Sequence, residues 1–295
     1  MDEKRTILIA GATGSIGGGA ALALAKRGAA IVLLGRYPEK LQNRAEHIRA
    51  ALSEAGIDPR TADIQTLTID FSDMVSVRGA AQEALNRFPS INGLVLSVGL
   101  LKQNGPTILP GGHELMFATN VMGPFLFTRL LIERMQESDG LVLHVIAKFT
   151  KTIDWDDIES VKNHRTMTAF DRTKTYNRIF AGELARRYAG KISSVAFDPT
   201  YVIDKSDPEL SKRWPSGFTG FLWRMMTIIV AKPPAVAGEP IAELMLSHQD
   251  RNAINGAMFR LYKRIKKPDR VMNDRSLGER FWDRLVSLTE QREDA

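Results

Sequence analysis

Six short runs read as strands: TILIA (6–10), IVLL (31–34), IQTLTI (64–69), GLVLS (93–97), LVLHVI (141–146) and SSVAF (193–197). Most are apolar almost throughout. A strand with one wet face would alternate, so this pattern belongs to strands buried on both faces. Helical periodicity separates them, over 20–27, 38–55, 75–88, 115–136 and 169–188. Strand and helix in strict alternation predict a doubly wound α/β fold, a parallel sheet between two helical layers. A helix-like stretch at 241–247 and a strand-like one at 257–261 complete the sheet, and 277–290 is again helical. Residues 199–235 break the rhythm with five prolines and two tryptophans, as a substrate-side lid would. The chain has 295 residues, no internal repeat and no low-complexity linker, so a single domain spanning 1–295 is expected.

Composition narrows the chemistry. The chain has no cysteine, so disulfides and thiolate metal sites are excluded. Its five histidines lack metal-ligand spacing, and no metal site is expected. The net charge of +6 is spread along the chain, densest in KRIKK (263–267), and reads as a solvated face rather than a nucleic-acid surface. Residues 1–5 run straight into the first strand without an apolar leader. The nearest thing to a span, FTGFLWRMMTIIVAK (218–232), is short and broken by Arg224. The reading is cytoplasmic, with no transmembrane segment.

Between the first strand and the first helix lies Gly11-Ala12-Thr13-Gly14-Ser15-Ile16-Gly17. Glycines at 11, 14 and 17 permit a tight turn, close approach of the backbone to a diphosphate, and close helix–strand packing; the helix N-terminus then favours the anion. The flanking strand and helix are the context this motif requires, and they make the fold Rossmann-like. The second strand ends in Gly35-Arg36. An acidic residue there would hold a ribose 2′-hydroxyl, whereas a guanidinium suits a 2′-phosphate, so NADP(H) is favoured over NAD(H).

These residues resemble the short-chain dehydrogenase/reductase family, most closely its retinol-dehydrogenase-like branch, over nearly the whole chain. GATGSIG is similar to the nucleotide loop, although its spacing is more typical of the family's extended members. Thr68-Ile69-Asp70-Phe71-Ser72 resembles the family's L-D-L-S segment, which implies an adenine contact for Asp70 and a cofactor contact for Phe71. Ser97-Val98-Gly99 stands where Asn-Ala-Gly is usual, which implies a cofactor contact for Ser97 and Gly99. The stretch 111–126 resembles the branch's D-G-x-E-x-x-F…N-H-x-G-H-F-L and puts Asn120 at the catalytic-site asparagine. Pro199-Thr200-Tyr201-Val202 stands where Pro-Gly-x-Val meets the nicotinamide, which implies cofactor contacts for Pro199 and Val202. Gly256 and Arg280-Phe281-Trp282 resemble the branch's ending.

The resemblance breaks where the family's chemistry is done. Its mechanism implies a serine, a tyrosine and a lysine, with an asparagine holding a water relay. Here LVLHVIAK puts Ala147 at the serine position and TAFDRTK puts Phe170 at the tyrosine position; Lys174 and Asn120 remain. Each change removes one oxygen and keeps the shape. A positioned general acid is worth about 10²–10⁴ in rate, and an oxyanion-type hydrogen bond about 10²–10³. Standard carbonyl reduction should be severely impaired.

Three readings follow: an oxidoreductase with rewired chemistry, an NADP(H)-binding protein without turnover (a sensor or partner protein), or a deliberately inactivated sequence. The last leaves His144 and Ile146, which also depart from the family's N-V-S-S strand, unexplained. A non-redox step on the same scaffold belongs with the first. For rewired chemistry the candidate phenol is Tyr201, ahead of Lys148, Asp171, Thr173 and Tyr176; on a helix Asp171 and Tyr176 point about 100° and 240° away from Phe170. His144 reads as a core histidine. Trp214, Phe218, Phe221, Trp223, Met225 and Met226 are expected to line a hydrophobic substrate pocket, to touch a membrane surface weakly, or to pack beneath the lid. The expected partner is a small hydrophobic substrate or ligand, with no nucleic acid; a homo-oligomer stays open.

Overall fold

The computed structural model describes residues 4–101, 105–147, 151–206, 217–247 and 250–290; within these, side chains at 217–220, 223, 226 and 228 are left undescribed. Eight strands form one sheet in the order β3-β2-β1-β4-β5-β6-β7-β8. They are β1 (Thr6–Ala10), β2 (Ala30–Gly35), β3 (Ile64–Thr68), β4 (Gly93–Leu96), β5 (Leu141–Val145), β6 (Ser193–Asp198), β7 (Met258–Arg260) and β8 (Lys263–Arg264). All neighbours are parallel except β7 and β8. The six expected strands and the seventh at 257–261 all form, and the single-domain doubly wound reading holds.

Strand side chains alternate between faces. Leu8, Ala10, Val32 and Leu34 join one apolar core with Phe117, Phe125, Tyr176 and Trp282. Ile7, Ile9, Ile31 and Leu33 join the other with Leu24, Ile48, Ile241 and Phe259. The helical layers are α1 (Ser15–Lys26), α2 (Pro38–Glu54), α3 (Met74–Arg87), α4 (Leu115–Phe117), α5 (Gly123–Gln136), α6 (Thr166–Arg187), α7 (Gly217–Val230), α8 (Ala235–Leu246), α9 (Arg251–Ile254), α10 (Arg270–Asn273) and α11 (Arg275–Glu290).

Two helices start a full turn or more before the expected residue. α1 begins at Ser15 rather than near residue 20, and α8 at Ala235 rather than Ile241. Gly17–Gly19 and the pair Gly238 and Pro240 are poor helix formers, which hides both starts. Packing overrides propensity there. A Cβ on Gly238 would strike the Gly19 carbonyl, and one on Gly19 would stand 2.8 Å from the Pro234 carbonyl carbon. Only glycine lets the two helices cross this closely.

Between α4 and α5 the ladder widens into a π-helical turn, Ala118–Met122. Pro124 has no N–H to give to residue 120, so the interruption falls where the sequence removes a donor. The whole stretch Leu115–Gln136 is long and apolar enough to cross a membrane, but 83% of its apolar window is buried in the protein. It is a core helix.

The expected lid contains a helix that sequence periodicity did not reveal. α7 buries Thr227 and exposes Phe221, Leu222, Met225 and Ile229. Phe221 and Met225 therefore do not pack beneath it. Trp214 and the side chains of Phe218, Trp223 and Met226 lie outside the described residues, as does Lys148.

Candidate cofactor and substrate site

The carboxyl ends of β1, β4, β5 and β6 form the edge where doubly wound sheets bind ligands. Immediately after β1, Gly11 adopts φ +77°, a conformation that favours glycine. Its N–H donates to Leu34 O at 3.2 Å, as does that of Ala12 at 3.3 Å, and Gly14 N–H closes the turn on Gly11 O at 3.0 Å. A Cβ on Gly17 would collide with the Gly11 carbonyl and come within 2.6 Å of Ser97 Oγ. Ser97 Oγ itself donates to Ala10 O at 2.5 Å. Gly11, Gly17 and Ser97 thus lock the turn from behind, and the Ser97 hydroxyl is spent on the backbone.

Gly14 precedes α1 in an extended conformation, and no side chain caps the helix. A 12-residue helix then presents its first N–H groups and the positive end of its dipole without a side-chain acceptor among the described residues. That arrangement fits a diphosphate. Ser15 Oγ accepts the Asp204 N–H at 2.8 Å, tying the turn to the chain after β6. The Ile16 side chain is partly buried and packs against the apolar core.

At the end of β2 the guanidinium of Arg36 lies 5.2 Å from the centroid of the Tyr37 ring. Thr13 stands close by: its carbonyl accepts from Arg44 at 3.1 Å. Asp70 Oδ1 accepts from Ser72 N at 2.9 Å and from Ser72 Oγ at 2.7 Å, closing a small turn after β3. Phe71 faces the core, edge-on to Phe127 at 5.8 Å, which leaves only its main chain for a cofactor.

Lys174, on α6, is buried. Its Nζ donates to Val98 O at 2.9 Å, in the loop after β4, and to Val145 O at 3.4 Å, at the end of β5. Burial pulls its pKa down to about 8, because a desolvated ammonium loses hydration that two carbonyls replace only in part. A Cβ on Gly99 would stand 3.3 Å from that Nζ. The ring of Phe170 lies beside it, with Nζ 5.7 Å from the centroid.

Asn120 occupies the π-helical turn. Its Oδ1 accepts Leu100 N–H at 2.7 Å, and its Nδ2 donates to Leu100 O at 2.9 Å and Thr173 Oγ1 at 3.2 Å. It pins the loop after β4 to α6. Thr173 Oγ1 donates in turn to Phe170 O at 2.7 Å.

The remaining substitutes for the missing phenol separate clearly. Tyr176 is buried, donates to Ile158 O at 2.9 Å and stacks on Phe281, and burial pushes its pKa up. It is structural. Asp171 lies 3.9 Å from Lys151, and burial raises its carboxyl pKa. Tyr201 is half-buried, and its Oη meets Thr227 Oγ1 at 3.3 Å. The main chain of Tyr201 through Ile203 pairs with Lys232, with Lys232 N–H on Tyr201 O at 2.9 Å and Ile203 N–H on Lys232 O at 3.1 Å. That pairing, which includes the Val202–Lys232 bridge, anchors α7 at the end of β6. His144 is a core residue: Nε2 meets Ser194 Oγ at 3.1 Å, the ring sits edge-on to Phe180, and burial lowers its pKa to about 3.

Two residues escaped sequence reasoning. Arg44 follows Arg36 and Lys40 at intervals of four, a spacing that was visible in the sequence. Thr200 follows Pro199 where the family pattern has glycine. It takes φ +65°, a genuine outlier for a β-branched residue, and its buried Oγ1 has no hydrogen-bond partner among the described residues. Asp198 holds it there: Oδ1 accepts Thr200 N–H at 2.9 Å while Oδ2 accepts from Arg260 Nε at 2.9 Å.

Comparison with known proteins agrees with this geometry. A family model described as short chain dehydrogenase matches residues 5–152. Retinol dehydrogenase 13 of Mus musculus is 27% identical over 292 residues, covering 96% of this chain and 84% of that protein. A short-chain dehydrogenase/reductase of Armillaria gallica is 25% identical over 292 residues, covering 95% and 89%. Among solved structures, a short chain dehydrogenase from Shigella flexneri complexed with NADP superposes with a TM-score of 0.62 at 22% identity, covering 88% of this chain and 97% of that one. That likeness establishes the shared fold.

Proposed function

The chain belongs to the short-chain dehydrogenase family, and from that premise we propose that it binds NADP(H) and acts as an oxidoreductase on a small hydrophobic molecule through a non-standard site. The observation that carries the reading is the uncapped N-terminus of α1 behind the glycine turn, with Arg36 at the adjoining end of β2. Gly11, Thr13, Gly14, Ser15, Ile16 and Gly17 would hold the diphosphate, with Asp70, Phe71, Ser97, Gly99, Asn120, Pro199 and Val202 around the rest. NADP(H), when bound, supplies or accepts hydride.

The chain's own residues then do the following. Lys174 binds the nicotinamide ribose, for which its buried ammonium is already oriented by Val98 O and Val145 O. Phe170 and Ala147 offer an apolar wall where hydroxyls would have bound a substrate oxygen. Tyr201 is the phenol left to move a proton, on the segment after β6. This division favours substrates whose reduction depends little on an oxyanion donor, such as an activated C=C bond.

A second reading is a nucleotide-binding protein without turnover. It is favoured by the engagement of the hydroxyls near Phe170, Thr173 on Phe170 O and Tyr176 on Ile158 O. One experiment decides. Purified protein is titrated with NADPH and NADP⁺, then assayed with a panel of carbonyls, enones and alcohols. Binding with turnover that Tyr201→Phe lowers supports the first reading; binding without turnover supports the second. Absence of binding by either nucleotide refutes both.

A further inference from the structure

The rim of the glycine turn carries three cations at regular spacing: Arg36 before α2, then Lys40 and Arg44 within it. Arg36 and Lys40 are exposed and flank the Tyr37 ring, the guanidinium carbon 5.2 Å and the ammonium 5.5 Å from its centroid. Arg44 differs from both. It is half-buried and reaches across to the turn, where one terminal nitrogen donates to Thr13 O at 3.1 Å.

Two further contacts fix its place. A Cβ on Gly18 would come within 3.0 Å of the Arg44 guanidinium carbon, so the planar group lies against the first turn of α1. A Cβ on Gly35 would stand 3.9 Å from Thr13 Cγ2 and 3.3 Å from Leu41 Cδ2. The end of β2, the third residue of the turn and the start of α2 therefore converge, with Arg44 and Arg36 on their rim. Among the described residues no carboxylate forms an ion pair with Arg36, Lys40 or Arg44; the acid of that helical turn, Glu39, pairs with none of them.

A guanidinium has five N–H donors in a rigid fork. Arg44 spends one on Thr13 O and keeps its charge uncompensated. We propose that Arg44 is a specificity-determining residue: it takes an oxygen of the cofactor's 2′-phosphate while holding the Thr13 carbonyl, so that reading the phosphate and setting the shape of the turn are one act. Arg36 supplies the second guanidinium and Lys40 the outer charge. The inference rests on the NADP(H) reading above and adds to it the residue that enforces the preference.

Charge-assisted hydrogen bonds to a phosphate oxygen are worth about 10- to 100-fold in affinity. The test measures dissociation constants by fluorescence or calorimetry for NADPH, NADH and adenosine 2′,5′-bisphosphate, on the parent chain, Arg44→Met, Arg44→Lys and Arg36→Met. Arg44→Met should weaken NADPH and the bisphosphate about 10- to 100-fold and leave NADH within about threefold. Arg44→Lys keeps charge and bulk without the fork, so it guards against a folding failure; it should lose about tenfold for NADPH alone. Equal weakening of NADPH and NADH would reduce Arg44 to a support of the turn and overturn the inference, as would an unchanged NADPH affinity. A parent chain that binds no NADPH would overturn the functional reading itself, an outcome distinct from any effect of the variants.

Discussion

The Nζ of Lys174 stands 5.7 Å from the centroid of the Phe170 ring, so the buried ammonium faces carbon where a phenol would meet it with oxygen. The helix that carries both residues is intact, and Lys174 is held by Val98 O independently of Phe170. Restoring the oxygens should therefore restore a working pair. Ala147→Ser with Phe170→Tyr is expected to raise carbonyl reduction by about 10²–10⁴-fold over the parent. Steady-state turnover of an aldehyde and ketone panel with NADPH checks this. A double variant that binds NADPH and gains nothing would show that the site has diverged beyond its two lost hydroxyls.

Lys174 also couples stability to pH. Its pKa is about 8 in the folded chain against an ordinary 10.5. Between those values the unfolded chain holds the proton and the folded chain does not, so stability must rise with pH across this window. Parent and Lys174→Met, compared by denaturant unfolding from pH 7.5 to 10, cancel the titration of every other group. The parent should gain on the variant by up to about 1.4 kcal/mol per pH unit above pH 8. A constant difference would mean that the ammonium is better solvated than its burial implies.

His144 works on the acid side. Buried against Phe180, with Ser194 Oγ as its hydrogen-bond partner among the described residues, it is neutral down to about pH 3, while the unfolded chain protonates it near 6.5. Its contribution is whole above 6.5 and is lost as pH falls toward 3. Relative to His144→Gln, the parent should lose up to about 1.4 kcal/mol per unit below pH 6.5. Parallel stability curves for the two proteins between pH 6.5 and 5 would refute this.

The sequence disclosed what depends on local pattern. Buried strands show as apolar runs, and Gly11, Gly14 and Gly17 sit where a strand must turn into a helix, so sheet and turn were legible. The early start of α1 was not, because Gly17–Gly19 oppose helix formation and are rescued by a contact with Gly238 and Pro234, more than 200 residues away. The fate of side chains was also hidden. Asn120 and Ser97 carry the polar groups the resemblance implied, yet both are engaged by the backbone, and only three-dimensional contacts disclose that. Arg44 was passed over because a basic residue on an exposed-looking helix reads as solvated until its reach to Thr13 O is known.

Thr200 offers the sharpest test of how this site is held. A β-branched residue at φ +65° costs about 1–3 kcal/mol, and Asp198, itself fixed by Arg260, imposes it through Thr200 N–H. Glycine adopts that conformation freely but loses more entropy on folding, about 0.4–1 kcal/mol. The strain term is the larger, so Thr200→Gly should stabilise the chain by about 1 kcal/mol, read as a higher midpoint in denaturant or heat. The unpartnered Oγ1 adds to the gain, since deleting it removes a buried hydroxyl with no hydrogen bond to lose. Asp198→Asn should act in the opposite direction, because the amide oxygen can still accept Thr200 N–H and keep the strain while the ion pair with Arg260 is given up. A lower midpoint for Thr200→Gly would mean that packing of the threonine methyl, and not the backbone, governs this turn.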